Sequence, residues 1–173
     1  MTGIGWQRLD QLGRELLPGF FALLLLLISV VPLPLPQYGQ AAPALTLIAV
    51  YYWSLERPNL FPPILAFELG LLQDLLSGSA IGGTALVFVI VQWLVRGQRR
   101  FLVGQPFVLV WWGFLLVALL AAVAEWLLFC TLNLVFTPIE PAILQASIAI
   151  ALFPLFAAAM MWITRLTVSP DMP

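Results

Sequence analysis

Apolar residues occur along the chain in six long runs that are separated by shorter, more polar stretches. The runs cover approximately residues 16–31, 42–55, 60–76, 81–95, 106–134 and 142–163. An α-helix rises about 1.5 Å per residue, so about 20 apolar residues cross the hydrocarbon core of a bilayer. The pattern predicts an all-α membrane protein, a polytopic bundle of about six transmembrane helices. The bundle forms a single domain over 16–163, with a short segment at 1–15 before it and a tail at 164–173 after it.

The second, third and fourth runs are short for complete spans. Each can take in flanking residues, or the bilayer can thin locally. The alternative is that 60–83 forms a re-entrant hairpin that neighbouring helices shield from lipid. The first run follows Arg8 and Arg14, as a secretory signal would. Its proline-rich end lacks a clear cleavage site, which favours a retained helix.

Arginine predicts the orientation of the spans, because cytoplasmic loops carry an excess of basic residues. The segments 1–15, 56–59, 96–104 and the tail hold all seven basic residues, and the loops 32–41, 77–80 and 135–141 hold none. This split predicts six spans with both termini in the cytoplasm. The basic loop with Arg96, Arg99 and Arg100 is then an orienting anchor, or a docking site for a cytoplasmic partner or an anionic lipid.

The overall composition excludes several classes of protein. The chain is 62% hydrophobic and 9% charged, whereas a soluble domain is about 45–50% apolar and about 25% charged. A nucleic-acid binder would need a basic face, and the net charge here is -1. With no His and a single Cys, neither a Ser–His–Asp triad nor a common zinc site can form. We therefore expect no enzymatic activity, no cofactor and no metal site.

Three carboxylates interrupt the apolar runs: Glu68, Asp74 and Glu125. A charged side chain in a spanning helix usually faces a bundle interior, a cavity or a partner. Glu68 is a candidate hydrogen-bonding group between helices. Asp74 precedes a Ser–Gly turn, and we expect it to accept hydrogen bonds from that turn or to contact a ligand or partner. Glu125 either extends toward the outer interface beside Trp126 or packs against an inner helix or a partner.

Small and aromatic residues suggest further packing features. Gly82, Gly83 and Ala85, at the start of the fourth run, predict a close approach between helices, since small side chains let helix backbones come near each other in lipid. Trp111 and Trp112 lie near the predicted cytoplasmic end of the fifth run. They are interpreted as part of an interfacial aromatic belt.

The stretch 57–86 carries a recognisable pattern. It has an Arg-Pro pair, a helix with Gly and Asp, a Ser-Gly turn, and a further Gly before the next helix. This pattern resembles the rod shape-determining protein MreD family. The positions that carry the resemblance are Arg57, Pro58, Gly70, Asp74, Ser77, Gly78 and Gly82. A basic loop, an Ala-Glu-Trp sequence at 124–126 and a last helix with Pro154 follow in the same order as in that family.

The resemblance implies a non-enzymatic component of the bacterial cell-elongation machinery, or elongasome, in the inner membrane. Its implied partners are an MreC-like bitopic protein and, more loosely, an MreB-like actin filament and the enzymes of peptidoglycan synthesis. The family's bundle is also similar to the substrate-binding subunits of energy-coupling transporters. The alternative function is therefore that of a small-molecule-binding subunit of a membrane transporter, with a cavity near Asp74 and Glu125.

Overall fold

The structure is a computed structural model that describes residues 18–29, 33–35, 39–41 and 44–167. The predicted cytoplasmic segment 1–15, with Arg8 and Arg14, lies outside the described residues, as does the chain after residue 167. The cytoplasmic placement of both termini therefore stays a prediction.

The described part of the chain contains six helices, and each overlaps one of the six apolar runs. They are α1 (Pro18–Ser29), α2 (Leu45–Glu56), α3 (Pro63–Ser77), α4 (Gly83–Leu102), α5 (Phe107–Asn133) and α6 (Glu140–Thr167). Prolines precede or open α3 and α5, because a residue without an N–H is accepted in the first turn. Pro62 precedes α3 with Pro63 as its first residue, and Pro106 precedes α5.

A short hairpin that the sequence pattern did not predict lies between α1 and α2. Strands β1 (Leu33–Leu35) and β2 (Gly39–Ala41) pair antiparallel, with Leu33 opposite Ala41. Pro34 is tolerated because both strands of a two-stranded sheet are edge strands. Pro34, from the proline-rich end of the first apolar run, therefore lies in a small ribbon in this loop.

Helix α2 is the centre of the bundle. All of its residues from Leu45 to Leu55 are buried. Tyr51, halfway along it, packs edge-on against Phe114 of α5 and Phe153 of α6, at ring-centroid distances of 5.3 and 5.8 Å. Phe114 and Phe153 stack on each other at 4.3 Å. This aromatic cluster joins α2, α5 and α6.

The connections between helices alternate between two ends of the bundle. Asn59 and Val103 line one cavity, so the α2–α3 turn and the α4–α5 loop share an end, here called the arginine end. Ser79 and Thr137 line another, so the α3–α4 turn and the α5–α6 loop share the opposite end, here called the Asp74 end. The predicted cytoplasmic loops 56–59 and 96–104 thus lie together. Helix α4 connects the two ends over 20 residues, or about 30 Å.

Two helices in the described part of the chain are long and apolar enough to cross a membrane: α5, and α6 from Glu140 to Met161. Only 22% and 28% of their most apolar stretches are buried within the chain. Apolar surface that the chain itself leaves uncovered indicates a membrane protein, because the core helix of a soluble protein is mostly buried. Membrane crossing by the other four helices stays a prediction.

Trp111 packs against α6, and its placement in an interfacial aromatic belt stays a prediction. Its indole Nε1 donates a hydrogen bond to the carbonyl oxygen of Ile150 on α6, at 3.1 Å, and the side chain is half-buried. Trp112 is exposed instead. Successive residues of a helix point about 100° apart, so only one of two adjacent tryptophans faces outward here.

Candidate functional site

A cavity of about 490 Å³ opens at the Asp74 end of the bundle. The end of α3, the start of α4, the second half of α5 and the start of α6 form its walls. The lining residues are Asp74, Ser79, Ala80, Gly83, Thr84, Glu125, Trp126, Leu128, Phe129, Leu132, Thr137, Pro138, Pro141, Ala142 and Gln145. We call it the Asp74 cavity. A mostly apolar wall with a few polar groups is typical of small-molecule sites, which measure about 300–1,000 Å³.

Asp74 is fully buried, and its carboxylate binds the α3–α4 turn and the start of α4. Oδ1 accepts a hydrogen bond from the hydroxyl of Ser79 at 3.0 Å, and Oδ2 accepts one from the backbone N–H of Gly82 at 2.8 Å. The N–H of Thr84 lies 3.2 Å from both oxygens. These are the turn bonds expected from the sequence. A carboxylate at a helix N-terminus is favourable, because the first N–H groups have no partner within the helix.

Two glycines shape this turn. Gly78 and Gly82 have φ angles of 66° and 96°, in the left-handed region that glycine adopts without steric cost. Gly78 ends α3 and donates its N–H to the carbonyl oxygen of Asp74. Ser77 is exposed and donates its hydroxyl to the carbonyl of Gln73, so it lies beside the turn rather than in the cavity. The turn thus brings Gly82 back onto the Asp74 carboxylate.

Gly70 brings α3 into close contact with α4. A Cβ at this position would lie 2.6 Å from the backbone nitrogen of Ala85 and closer still to its Cα. Only a residue without a side chain allows this approach. Of the small residues at the start of the fourth run, Ala85 therefore packs closely against α3, whereas a Cβ at Gly82 or Gly83 would meet nothing within 4 Å. The contact lies about one helical turn from Asp74 and supports its position.

Glu125 is half-buried and lines the Asp74 cavity from α5. It therefore faces inward, which favours the second of its two sequence interpretations. It accepts no hydrogen bond from any residue that the structure describes. Gln145, from α6, lines the same cavity. The neighbouring Trp126 donates its indole N–H to the carbonyl of Thr137 at 2.9 Å and so connects α5 to the α5–α6 loop.

The Asp74 cavity therefore presents two different carboxylates. Asp74 accepts hydrogen bonds on both oxygens, whereas Glu125 accepts none from the described residues. In an environment of low dielectric, an unpaired carboxylate favours a hydrogen-bond donor or a cation. Across the described ranges, no group of three or more His, Cys, Asp or Glu could hold a metal ion.

Arg57 and Pro58 lie at the opposite, arginine end, together with Arg96, Arg99 and Arg100. The prediction of a loop over 96–104 is wrong for these three arginines, because α4 continues to Leu102 and they belong to its last turns. Arg57 follows the last residue of α2, and its backbone N–H donates a hydrogen bond to the carbonyl oxygen of Trp53. A second cavity, of about 470 Å³, is lined by Pro58, Asn59, Arg96, Arg99, Arg100 and Val103; we call it the arginine cavity. The predicted site residues thus divide between the two ends, apart from Glu68.

Glu68 lies on an exposed face of α3. It makes no side-chain hydrogen bond or ion pair within the described part of the chain, so its role as a hydrogen-bonding group between helices stays a prediction. Glu68 and Asp74 are six residues apart, about 240° around the helix, which explains why one is exposed and the other buried. Contact between Glu68 and a separate partner stays a prediction.

The sequence analysis missed three residues that position the helices. Gln92 is buried on α4 and donates its side-chain N–H to the carbonyl of Phe61 at 3.2 Å. The Tyr51 hydroxyl donates to the carbonyl of Val110 at 3.0 Å, and a Cβ at Gly113 would lie 2.6 Å from that hydroxyl. A polar residue inside an apolar run is a detectable signal for Gln92. No local signal points to the contact between Tyr51 and Gly113.

Comparison with known proteins identifies one family. A family model described as rod shape-determining protein MreD matches residues 10–163 of the 173-residue chain. No curated protein matches the chain, and no solved structure matches it. The match includes the stretch 57–86, both cavities, helices α1 to α5 and α6 up to residue 163.

Proposed function

Because the chain belongs to the MreD family of rod shape-determining proteins, we propose that it is a non-enzymatic scaffold of the cell-elongation machinery in the bacterial inner membrane. Family membership gives it a role in rod shape determination. In the proposed role it binds the membrane-spanning helix of an MreC-like bitopic protein and helps to control peptidoglycan synthesis. An MreB-like filament and the wall-synthesis enzymes are its looser partners.

The exposed face of α3 is the observation that carries this proposal. Ile64, Glu68, Leu71 and Leu75 follow one another at spacings of four, three and four residues, and all four are exposed. Residues at these spacings form one stripe along a helix and are typical of helix–helix contacts. We call this stripe the α3 face.

Glu68 makes the α3 face more than a lipid-facing surface. Leucine and isoleucine need no partner in a bilayer, but a charged side chain at the centre of a spanning helix costs about 2.5–3.5 kcal/mol on insertion scales. A donor side chain on a partner helix would offset that cost. Polar groups that hydrogen-bond across helices strengthen association in lipid, at about 0.6–2 kcal/mol per contact.

Site-specific photo-crosslinking in membranes of the native host tests this proposal. A photoreactive amino acid is placed at Ile64 or Leu71 on the α3 face, and at Leu116 or Leu120 on α5 as matched exposed controls. We expect an adduct with one bitopic protein from the α3 positions and little from the α5 positions. Equal adduct yields from both helices would contradict a specific interface on α3.

The Asp74 cavity favours a second candidate function, that of a small-molecule-binding subunit of a transporter. Its volume suits a metabolite, and Glu125 is available as an acceptor for an ammonium or other donor group. A ligand that binds only the folded state raises thermal stability. Purified protein would be screened against amine-containing metabolites, with Glu125→Gln as the matched variant. A shift that Glu125→Gln abolishes supports this function, and the absence of any shift across the panel argues against it.

A further inference from the structure

The arginine cavity concentrates positive charge without a balancing acid. Arg96, Arg99 and Arg100 line it together with Asn59, and no carboxylate is among its lining residues. Glu56 ends α2 nearby in sequence but does not line the cavity. Within the described ranges, none of the three guanidinium groups forms an ion pair. Like charges on one helix face destabilise it, so this cluster favours a bound anion.

Arg99 is held in place by the bundle. Its Nε donates a hydrogen bond to the carbonyl oxygen of Leu55, at the end of α2, over 2.8 Å. The guanidinium is therefore oriented, and its terminal nitrogens have no acceptor among the residues that the structure describes. A planar guanidinium recognises phosphate oxygens with two parallel hydrogen bonds. The anchored Arg99 and the two more exposed arginines thus suit a phosphate group better than a monovalent halide.

The surroundings of the cavity favour a lipid phosphate over a free one. Trp93, Arg96 and Arg100 are spaced at i, i+3 and i+7 and so share one face of α4, and Trp93 is 74% exposed. An exposed Trp about one turn from Arg96 and about two turns from Arg100 matches the arrangement at a membrane–water interface, where Trp lies at the headgroup level. Val103, itself a lining residue, adds apolar surface beside the charge.

We propose that the arginine cavity binds the phosphate of an anionic phospholipid, with Arg99 as the fixed recognition group and Arg96 and Arg100 as flanking cations. The acyl chains then lie along the Trp93 face of α4. This goes beyond the scaffold role, because it gives the protein a specific lipid site on the face opposite the Asp74 cavity. A free phosphate shares the same recognition chemistry, so the experiment separates the two sources.

Lipid binding to the purified full-length protein is measured by native mass spectrometry, with dioleoylphosphatidylglycerol and dioleoylphosphatidylcholine as probes. We expect the wild type to bind the anionic lipid at least about tenfold more tightly than the zwitterionic one. Arg96→Gln and Arg100→Gln should each weaken binding of the anionic lipid about fivefold. Arg57→Gln is the matched control, since it removes one charge at the same end outside the cavity, and should change binding less than about twofold.

Several outcomes would overturn the proposal. One is equal affinity for the two lipids, and another is an equal loss in Arg57→Gln and Arg100→Gln. Inorganic phosphate that binds as tightly as the lipid would assign the cavity to a free anion. If binding of a hexaglutamate peptide depends on Arg96 and Arg100 but binding of the lipid does not, the arginine cavity would be assigned to a protein partner. If the glutamine variants fail to fold, Arg99→Lys keeps the charge but loses the two-pronged geometry of the fixed recognition group, and should still weaken binding of the anionic lipid.

Discussion

The indole N–H of Trp111 on α5 donates to the carbonyl oxygen of Ile150 on α6, at 3.1 Å. In a regular helix that carbonyl would accept from the residue four positions later, which here is Pro154. Proline has no N–H, so it leaves the Ile150 carbonyl without its usual partner. The tryptophan of the neighbouring helix supplies the missing donor and thereby joins α5 to α6 at the proline.

This relationship predicts that the effects of changes at positions 111 and 154 are coupled. Trp111→Phe should destabilise the fold by about 1 kcal/mol, because it leaves a half-buried carbonyl unpaired. In a Pro154→Ala background the same change should cost less, because the new N–H at position 154 can bond to Ile150. Thermal unfolding of the four proteins in detergent gives the coupling free energy. Additive effects would show that the indole bond is independent of the proline.

Asp74→Ala should be among the most destabilising single changes at the Asp74 end. It leaves the backbone N–H groups of Gly82 and Thr84 without their acceptor, at a cost of about 2–3 kcal/mol. Asp74→Asn keeps one acceptor oxygen and should cost less. Ser77→Ala is the matched control, since this exposed hydroxyl bonds only within the turn region, and its unfolding temperature should stay close to that of the wild type. A melting temperature of Asp74→Ala equal to that of the control would contradict the anchoring role.

Gly70→Ala should separate α3 from α4. The added methyl group would meet the backbone of Ala85, and overpacking of this kind costs about 1–3 kcal/mol. Gly97→Ala on α4 is the control, because a Cβ there meets nothing within 4 Å. Since Gly is unfavourable inside a helix, that control should be neutral or stabilising by about 0.5–1 kcal/mol. Equal unfolding temperatures for the two variants would argue against a close α3–α4 contact.

Glu68→Leu should separate partner binding from folding. The side chain is exposed and makes no bond within the described residues, so its removal should leave the unfolding temperature unchanged. The amount of bitopic protein that co-purifies from native membranes should fall severalfold, because the donor on the partner helix loses its acceptor. Leu116→Ala on α5 serves as the control. Unchanged co-purification with Glu68→Leu would remove Glu68 from the proposed interface.

Contacts between residues that are close together along the chain could be predicted from the sequence. The bonds of Asp74 join it to residues no more than ten positions away, in a turn whose serines and glycines predict its shape. Glu68 shows the limit of such local reasoning. A carboxylate in an apolar run signals an unusual position, but the run alone does not say whether the side chain faces a neighbouring helix or the outside of the bundle.

Apolar runs, prolines and arginines along the chain were enough to place the six helices and to predict which loops lie together. They could not distinguish the central helix from a peripheral one, because α2 and α5 are both apolar on every side, yet α2 is buried and α5 is mostly exposed. The bonds of Tyr51 to Val110 and of Trp111 to Ile150 join residues 59 and 39 positions apart. Packing between distant segments selects those pairs. No local periodicity encodes them, so only the tertiary structure decided the centre of the bundle and the joints that hold it together.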